Sequence, residues 1–186
     1  SKDNELSHTK NRKTTLEQYQ YGDVDETNIA AYANADIEIG KFLIQPGIRI
    51  DHFNFGYTDK LSTTYNPLTN EDIAFSPELN LLYNYSKDLQ IYLKTGKGFH
   101  SNDSRVVLNQ SVRKNLPGAY GTDLGFIWKA RKNLFINVAA WQLFLEQEFV
   151  YVGDAGIVEP SGETMRKGID LSIRYQPKPW LFISGD

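Results

Sequence analysis

From about residue 27 onward, apolar and polar side chains alternate at a spacing of two, in stretches that hold their phase and are broken by turn-forming residues. The clearest stretch is Leu89, Gln90, Ile91, Tyr92, Leu93, Lys94, Thr95, Gly96, with mainly apolar odd positions and mainly polar even ones. This period predicts strands with one face suited to hydrocarbon and the other to water. Strands are expected over about 27–39, 41–55, 72–86, 88–100, 118–130, 133–151 and 165–176, with an eighth starting near 180.

In the first, Ile29, Ala31, Ala33, Ala35, Ile37 and Ile39 oppose Asn28, Asn34, Asp36 and Glu38. In the second, Phe42, Ile44, Pro46, Ile48 and Ile50 oppose Gln45, Arg49 and Asp51; in the third, Ile73, Phe75, Leu79, Leu81, Tyr83 and Tyr85 oppose Ser76, Glu78, Asn80 and Asn84. Further along, Tyr120, Thr122, Leu124, Phe126 and Trp128 face away from Asp123 and Lys129. Trp141, Leu143, Leu145, Phe149 and Tyr151 are read against Gln142, Glu146 and Glu148, with Leu134, Ile136 and Val138 out of that phase. Ile169, Leu171, Ile173 and Tyr175 oppose Asp170, Ser172 and Arg174. Pro46 and Pro77 lack a donor for a ladder and belong at bulges or edges, so they either mark bulges here or lie outside true strands.

These strands are long. About 9–11 residues tilted near 45° cross a bilayer, whereas strands of soluble sheets usually stop at about 5–6. Their connections alternate in size: Gly40-Lys41, Ser86-Lys87-Asp88, Ala130-Arg131-Lys132-Asn133 and Gln176-Pro177-Lys178-Pro179 are tight, and 56–71, 101–117 and 152–164 are long and polar. Short periplasmic turns and long extracellular loops are the habit of outer-membrane barrels. The expected fold is thus all-β, an antiparallel up-and-down meander of seven or eight long strands forming part of a larger transmembrane barrel. Residues 1–26 are expected as an extracellular loop segment and 27–186 as the partial barrel, cut at both ends.

Composition agrees with a wall wetted on one side. The mean hydropathy of -0.47 and the absence of any apolar run near 18 residues exclude a membrane helix, but half of a barrel strand is polar and averages this way. The 11 Tyr, 10 Phe and 3 Trp gather near strand ends, where interfacial girdles lie. A net charge of -3 gives no basis for a nucleic-acid partner, and zero cysteines exclude disulfides and thiolate metal sites. Ser1 to Arg12 is too polar for a signal peptide.

Three segments carry a resemblance: Lys97-Gly98-Phe99-His100-Ser101-Asn102-Asp103-Ser104-Arg105; Gly153-Asp154-Ala155-Gly156 with Glu159-Pro160-Ser161-Gly162; and Arg166-Lys167-Gly168-Ile169-Asp170. From about Glu26 to the end the chain resembles the C-terminal half of the barrel in TonB-dependent outer-membrane receptors. The resemblance implies a 22-stranded barrel with a plugged lumen, of which this chain would be about a third. It also implies a bacterial outer-membrane location, an N-terminal plug and a TonB energy-coupling complex acting through the parent chain, and uptake of a scarce nutrient such as a metal chelate, porphyrin, corrinoid or glycan. The implied surroundings are outer-membrane lipid and a small-molecule or metal-chelate ligand, with no cofactor.

Candidate ligand contacts at the outer rim are Phe99, His100, Asn102, Asp103, Arg105, Asp154 and Glu159, although Asn, Ser and Asp equally serve to cap and turn a loop. Glu38, Arg49, Asp51, Glu78, Lys94, Asp123, Asp170 and Arg174 are expected on the lumen wall, as paired charges or plug contacts. The Gly153–Gly156 loop falls short of the six or more oxygens that calcium takes, and His8, His52 and His100 are too scattered for a metal triad. No GxSxG, HExxH or phosphate-loop motif is present, so no enzyme is expected; Glu146 and Glu148, two apart, leave a carboxylate pair geometrically open. Two other readings compete. One is a complete eight-stranded barrel, either a lipocalin-like binder or an anchor; the other is a secreted β-sandwich enzyme. Periodicity alone does not say which face lies inside.

Overall fold

The structure, a computed structural model, describes residues 2–10, 14–63, 67–100, 116–152 and 157–186. Among the described residues ten strands form a single sheet: β1 Lys2–Lys10, β2 Thr14–Asn34, β3 Ile37–Ile39, β4 Phe42–Asp59, β5 Pro67–Asn84, β6 Leu89–Phe99, β7 Gly118–Arg131, β8 Leu134–Val152, β9 Ile157–Lys178 and β10 Leu181–Gly185. They pair in the order β1-β2-β4-β5-β6-β7-β8-β9-β10, every pair antiparallel, while β3 continues along β4 beyond a break in β2. This is the expected meander. β1 and β10 lie at opposite ends of the order and do not pair, so the chain is an open wall and not a closed eight-stranded barrel.

The ladders sort the side chains onto two faces, because directly paired residues share a side. One continuous apolar band crosses the sheet: Ile44 pairs with Leu81, Leu81 with Leu93, Leu93 with Leu124, Leu124 with Ala140 and Ala140 with Ile169. Its turn-side margin is aromatic, with Phe42 beside Tyr83 at a ring separation of 4.8 Å, and Trp128 and Tyr175 further along. These apolar side chains stay largely uncovered: Ile29 is 70%, Ile73 65% and Ile169 77% exposed. The buried hydrophobic residues of the described part are Phe53, Phe55, Ala74 and Tyr92, and by register all four lie on the opposite, polar face. A soluble sandwich buries its apolar phase; this sheet leaves it open.

Several expectations change. Residues 2–26, expected as loop, are largely strand, with Lys2–Lys10 laddered against Thr14–Val24. The outer loops shrink similarly: β4 runs to Asp59, β5 starts at Pro67, and Val152 pairs with Ile157, so 152 and 157–164, expected as loop, are strand. Backbone pairing needs no amphipathic pattern, so hairpins continue past the point where alternation fades. The phase of β8 is the reverse of that expected. Leu134, Ile136, Val138 and Ala140 belong to the apolar band, whereas Trp141, Leu143 and Leu145 share the polar face with Asp123 and Arg166.

Pro46 and Pro77 lie inside unbroken β4–β5 pairing, and each sits where the ladder to the other neighbour stops. Pairing of β4 with β2 ends at Gly47 and resumes with β3 at Ile44; pairing of β5 with β6 begins at Glu78. The missing N–H therefore costs no ladder bond at these places. At the tight turns, Gly40 adopts a φ of 60°, which a glycine takes without steric cost. Ser86 Oγ accepts from Asp88 N at 3.2 Å and from Leu89 N at 3.1 Å.

Candidate functional site

The polar face gathers the chemistry. Glu38, Arg49, Asp51, Glu78, Lys94, Asp123, Asp170 and Arg174 all fall on it by register. At its most enclosed point Asp51 is fully buried. Arg49, two residues away and hence on the same side, donates from Nε to Asp51 Oδ2 at 2.8 Å and from Nη2 to Oδ1 at 2.7 Å, while Asn28 Nδ2 donates to Oδ1 at 3.1 Å. A buried carboxylate is tolerated only with such a set of donors.

Next to this pair lies an apolar cluster. Phe53 and Phe55 stack at 5.5 Å, Phe99 meets Phe53 edge-on at 5.4 Å, and Leu116 packs against them. His100 N donates to Pro117 O at 3.1 Å, so both ends of the connection between β6 and β7 are tied down beside β4. Of the rim candidates, Phe99 is thus a packing residue and His100 is exposed. Glu159 lies on β9 opposite Val150. Asn102, Asp103, Arg105 and Asp154 lie outside the described residues.

Further along the polar face, large side chains lie over glycines of the neighbouring strand. Tyr92 on β6 covers Gly125 on β7 and its hydroxyl donates to Asn137 Oδ1 on β8 at 3.1 Å. Trp141 covers Gly168 in the same way. Lys94 Nζ stands 5.1 Å from the Tyr92 ring centre, and Lys94 pairs by register with Asp123. Stacking an aromatic ring on a cross-strand glycine closes the gap that the missing side chain leaves.

Sequence reasoning missed Asn28, the Phe53–Phe55 pair, and the Tyr92–Gly125–Asn137 and Trp141–Gly168 contacts. Two signals were available: Phe53 and Phe55 continue the phase of Asp51, and glycines within strands mark close approach. The carboxylates Glu146 and Glu148 do not form a pair. Glu146 accepts from Gly118 N at 2.9 Å and from Tyr120 Oη at 3.0 Å, and Glu148 takes Arg166. Register shifts around Glu148 explain the divergence. Among the described residues no three His, Asp or Glu side chains gather as metal ligands, and no helix is long and apolar enough to cross a membrane.

Comparison with known proteins fits this geometry. No curated protein matches the sequence. Among solved structures, the chain is similar to the unliganded ferric citrate transporter FecA, with a TM-score of 0.71 and 20% identity over 86% of this chain and 24% of that one. It is also similar to the siderophore receptor PiuA from Acinetobacter baumannii, with a TM-score of 0.66 and 16% identity over 85% of this chain and 24% of the other. The ferric yersiniabactin uptake receptor FyuA from Yersinia pestis gives 0.65 and 14% over 87% and 26%. The chain spans about a quarter of the length of each of these structures, and at these identities the likeness concerns the fold. The family model for the TonB dependent receptor-like β-barrel matches residues 3–185. The chain therefore belongs to the TonB-dependent receptor β-barrel family, whose members are bacterial outer-membrane receptors and transporters.

Proposed function

We propose that this chain forms part of the wall of an outer-membrane receptor that takes up a scarce nutrient, a ferric chelate first among the metal-chelate, porphyrin, corrinoid and glycan classes. The observation that carries the reading is the continuous apolar band left exposed across the sheet. In water such a band invites aggregation; in a bilayer it is the matched surface. The polar face, with its buried Asp51 and its crossing tyrosine, is then the lumen wall, and Glu38, Arg49, Glu78, Lys94, Asp123, Asp170 and Arg174 are available to a plug or to passing ligand. The names of the solved neighbours, which speak of ferric citrate, siderophore and ferric yersiniabactin, favour the ferric-chelate class. Energy coupling would come from a TonB complex acting on the plug of the parent chain.

Two measurements test this. In fractionated source cells, an antibody against residues 56–71 should find a heat-modifiable outer-membrane band several times heavier than the 21.2 kDa of this chain. Cells lacking the protein should lose growth on at least one ferric chelate as sole iron source while growing normally on iron salts. A soluble band near that mass, or unchanged growth on every chelate tried, would contradict the reading.

A further inference from the structure

Among the described residues the ladder between β5 and β6 stops short. It runs from Asn84 and Gln90 to Glu78 and Gly96, although β5 continues outward to Pro67 and β6 continues to Phe99 while still paired with β7. Continued in register, it would set Phe99 beside Phe75 on the apolar face. The Phe99 ring instead meets Phe53, which stands two strands away and on the polar face, and Leu116 packs against the same cluster. The loop-side end of the β6–β7 pair has therefore left the plane of the sheet and leans over the polar face. On its far side Gly118 N donates to Glu146 Oε2 at 2.9 Å, and between its two strands His100 N donates to Pro117 O at 3.1 Å.

The sequence explains where the ladder breaks. Asn84 N donates to Lys41 O, and antiparallel bonds alternate along a strand, so even positions of β5 turn their N–H to β4 and odd positions to β6. Pro77 is the odd position at which pairing ends, and it has no N–H to give to Lys97 on β6. Beyond it the strands diverge around a cavity of about 610 Å³ lined by Tyr32, Arg49, Ser76, Glu78, Gly96 and Gly98. Among the described residues, Ser76 Oγ is buried there without a hydrogen-bond partner. On the reverse face at this level Ile48, Ile50 and Phe75 are exposed, so the diverging strand edges stand at hydrocarbon depth, where unsatisfied backbone is costly. Two demands thus compete for the end of β6: burial of Phe99 against Phe53, and completion of the β5 ladder.

We propose that the loop-side end of the β6–β7 pair is a strap with two seats. In the inner seat, the one observed, Phe99 and Leu116 rest on the Phe53–Phe55 pair and cover the buried Ala74 and Asp51. In the wall seat Gly98 and Phe99 ladder onto Ser76 and Phe75, the cavity closes, and the Arg49–Asp51 pair opens to the lumen. Pro77 sets the balance, because the N–H it withholds weakens the wall seat alone. The assignment of lumen and hydrocarbon sides rests on the outer-membrane reading above.

The test uses the whole protein in outer membranes. The chain has no cysteine, so Ser76→Cys combined with Gly98→Cys reports the wall seat by disulfide formation under mild oxidant. A Cβ at Gly98 meets nothing within 4 Å in the observed seat, so a side chain there fits. Ala74→Cys, made separately, reports the inner seat by slow reaction with a membrane-impermeant maleimide. Pro77→Ala, which returns one ladder hydrogen bond, should speed both reactions about five-fold. Phe53→Ala, which removes the inner seat, should act in the same direction. Heat-modifiable migration shows that each variant has folded. Unchanged rates in both variants, a disulfide that forms as fast with proline as with alanine at 77, or faster labelling at 74 with no gain in the disulfide would each overturn the two seats. Absence of the protein from the outer-membrane fraction would overturn the underlying reading first, and is seen before any reagent is added.

Discussion

Asp51 is the residue on which the polar face turns. Its carboxylate is fully buried, yet Arg49 is half-exposed, so the pair is anchored at one end and open at the other. Arg49→Ala leaves a buried charge with Asn28 as its remaining side-chain donor and should destabilise the folded barrel. Asp51→Asn, which removes the charge and keeps the shape, should cost less than half of that, and urea unfolding of the detergent-solubilised protein compares the two. Phe55, equally buried, should lose about 3 kcal/mol on truncation to Ala, because the stacked ring against Phe53 leaves a cavity behind. None of these three weights was legible in the sequence. Arg49 and Asp51 are readable as polar-face residues, but burial depends on what the neighbouring strands bring against them, such as Asn28 of β2, and one strand's alternation carries no such information.

Strands tell a different story, since their phase is encoded two residues at a time. The alternation in β4 and β5, and over Leu89 to Leu93 of β6, is readable because every second position there is apolar. β8 misled because its loop-side half places Trp141, Leu143 and Leu145 on the polar face, where Trp141 covers Gly168; an apolar residue serving a glycine looks like an apolar residue facing lipid. The glycines themselves make a prediction. A Cβ on Gly125 would fall against the Val138 carbonyl oxygen and the Tyr92 ring, whereas one on Gly47 would meet the carboxylate end of Glu78 at 2.5 Å. Backbone cannot yield and a flexible side chain can, so Gly125→Ala should destabilise by about 2 kcal/mol and Gly47→Ala by well under 1, read from the temperature at which the folded band is lost on a gel.

At the scale of the molecule, the sheet has a hydrocarbon-matched outer face and a polar inner face joined by tight turns at one end. The fold class followed from periodicity, strand length and turn asymmetry. Strand limits did not, since pairing continues beyond the amphipathic span on the loop side, as β1 and the first half of β2 show. The sense of the two faces was beyond the sequence, because alternation is symmetric; exposure of Ile29, Ile73 and Ile169 against burial of Asp51, Phe53 and Phe55 breaks that symmetry. Since the chain has no cysteine, single cysteines along β7 can carry a spin label in the membrane-embedded protein, at 123, 124, 126, 127, 128 and 129. Labels at Leu124, Phe126 and Trp128 are predicted to be accessible to oxygen dissolved in lipid, and those at Asp123, Ile127 and Lys129 to a water-soluble nickel chelate. The opposite phase, or nickel accessibility on both faces, would contradict a wall that turns its apolar side to the bilayer.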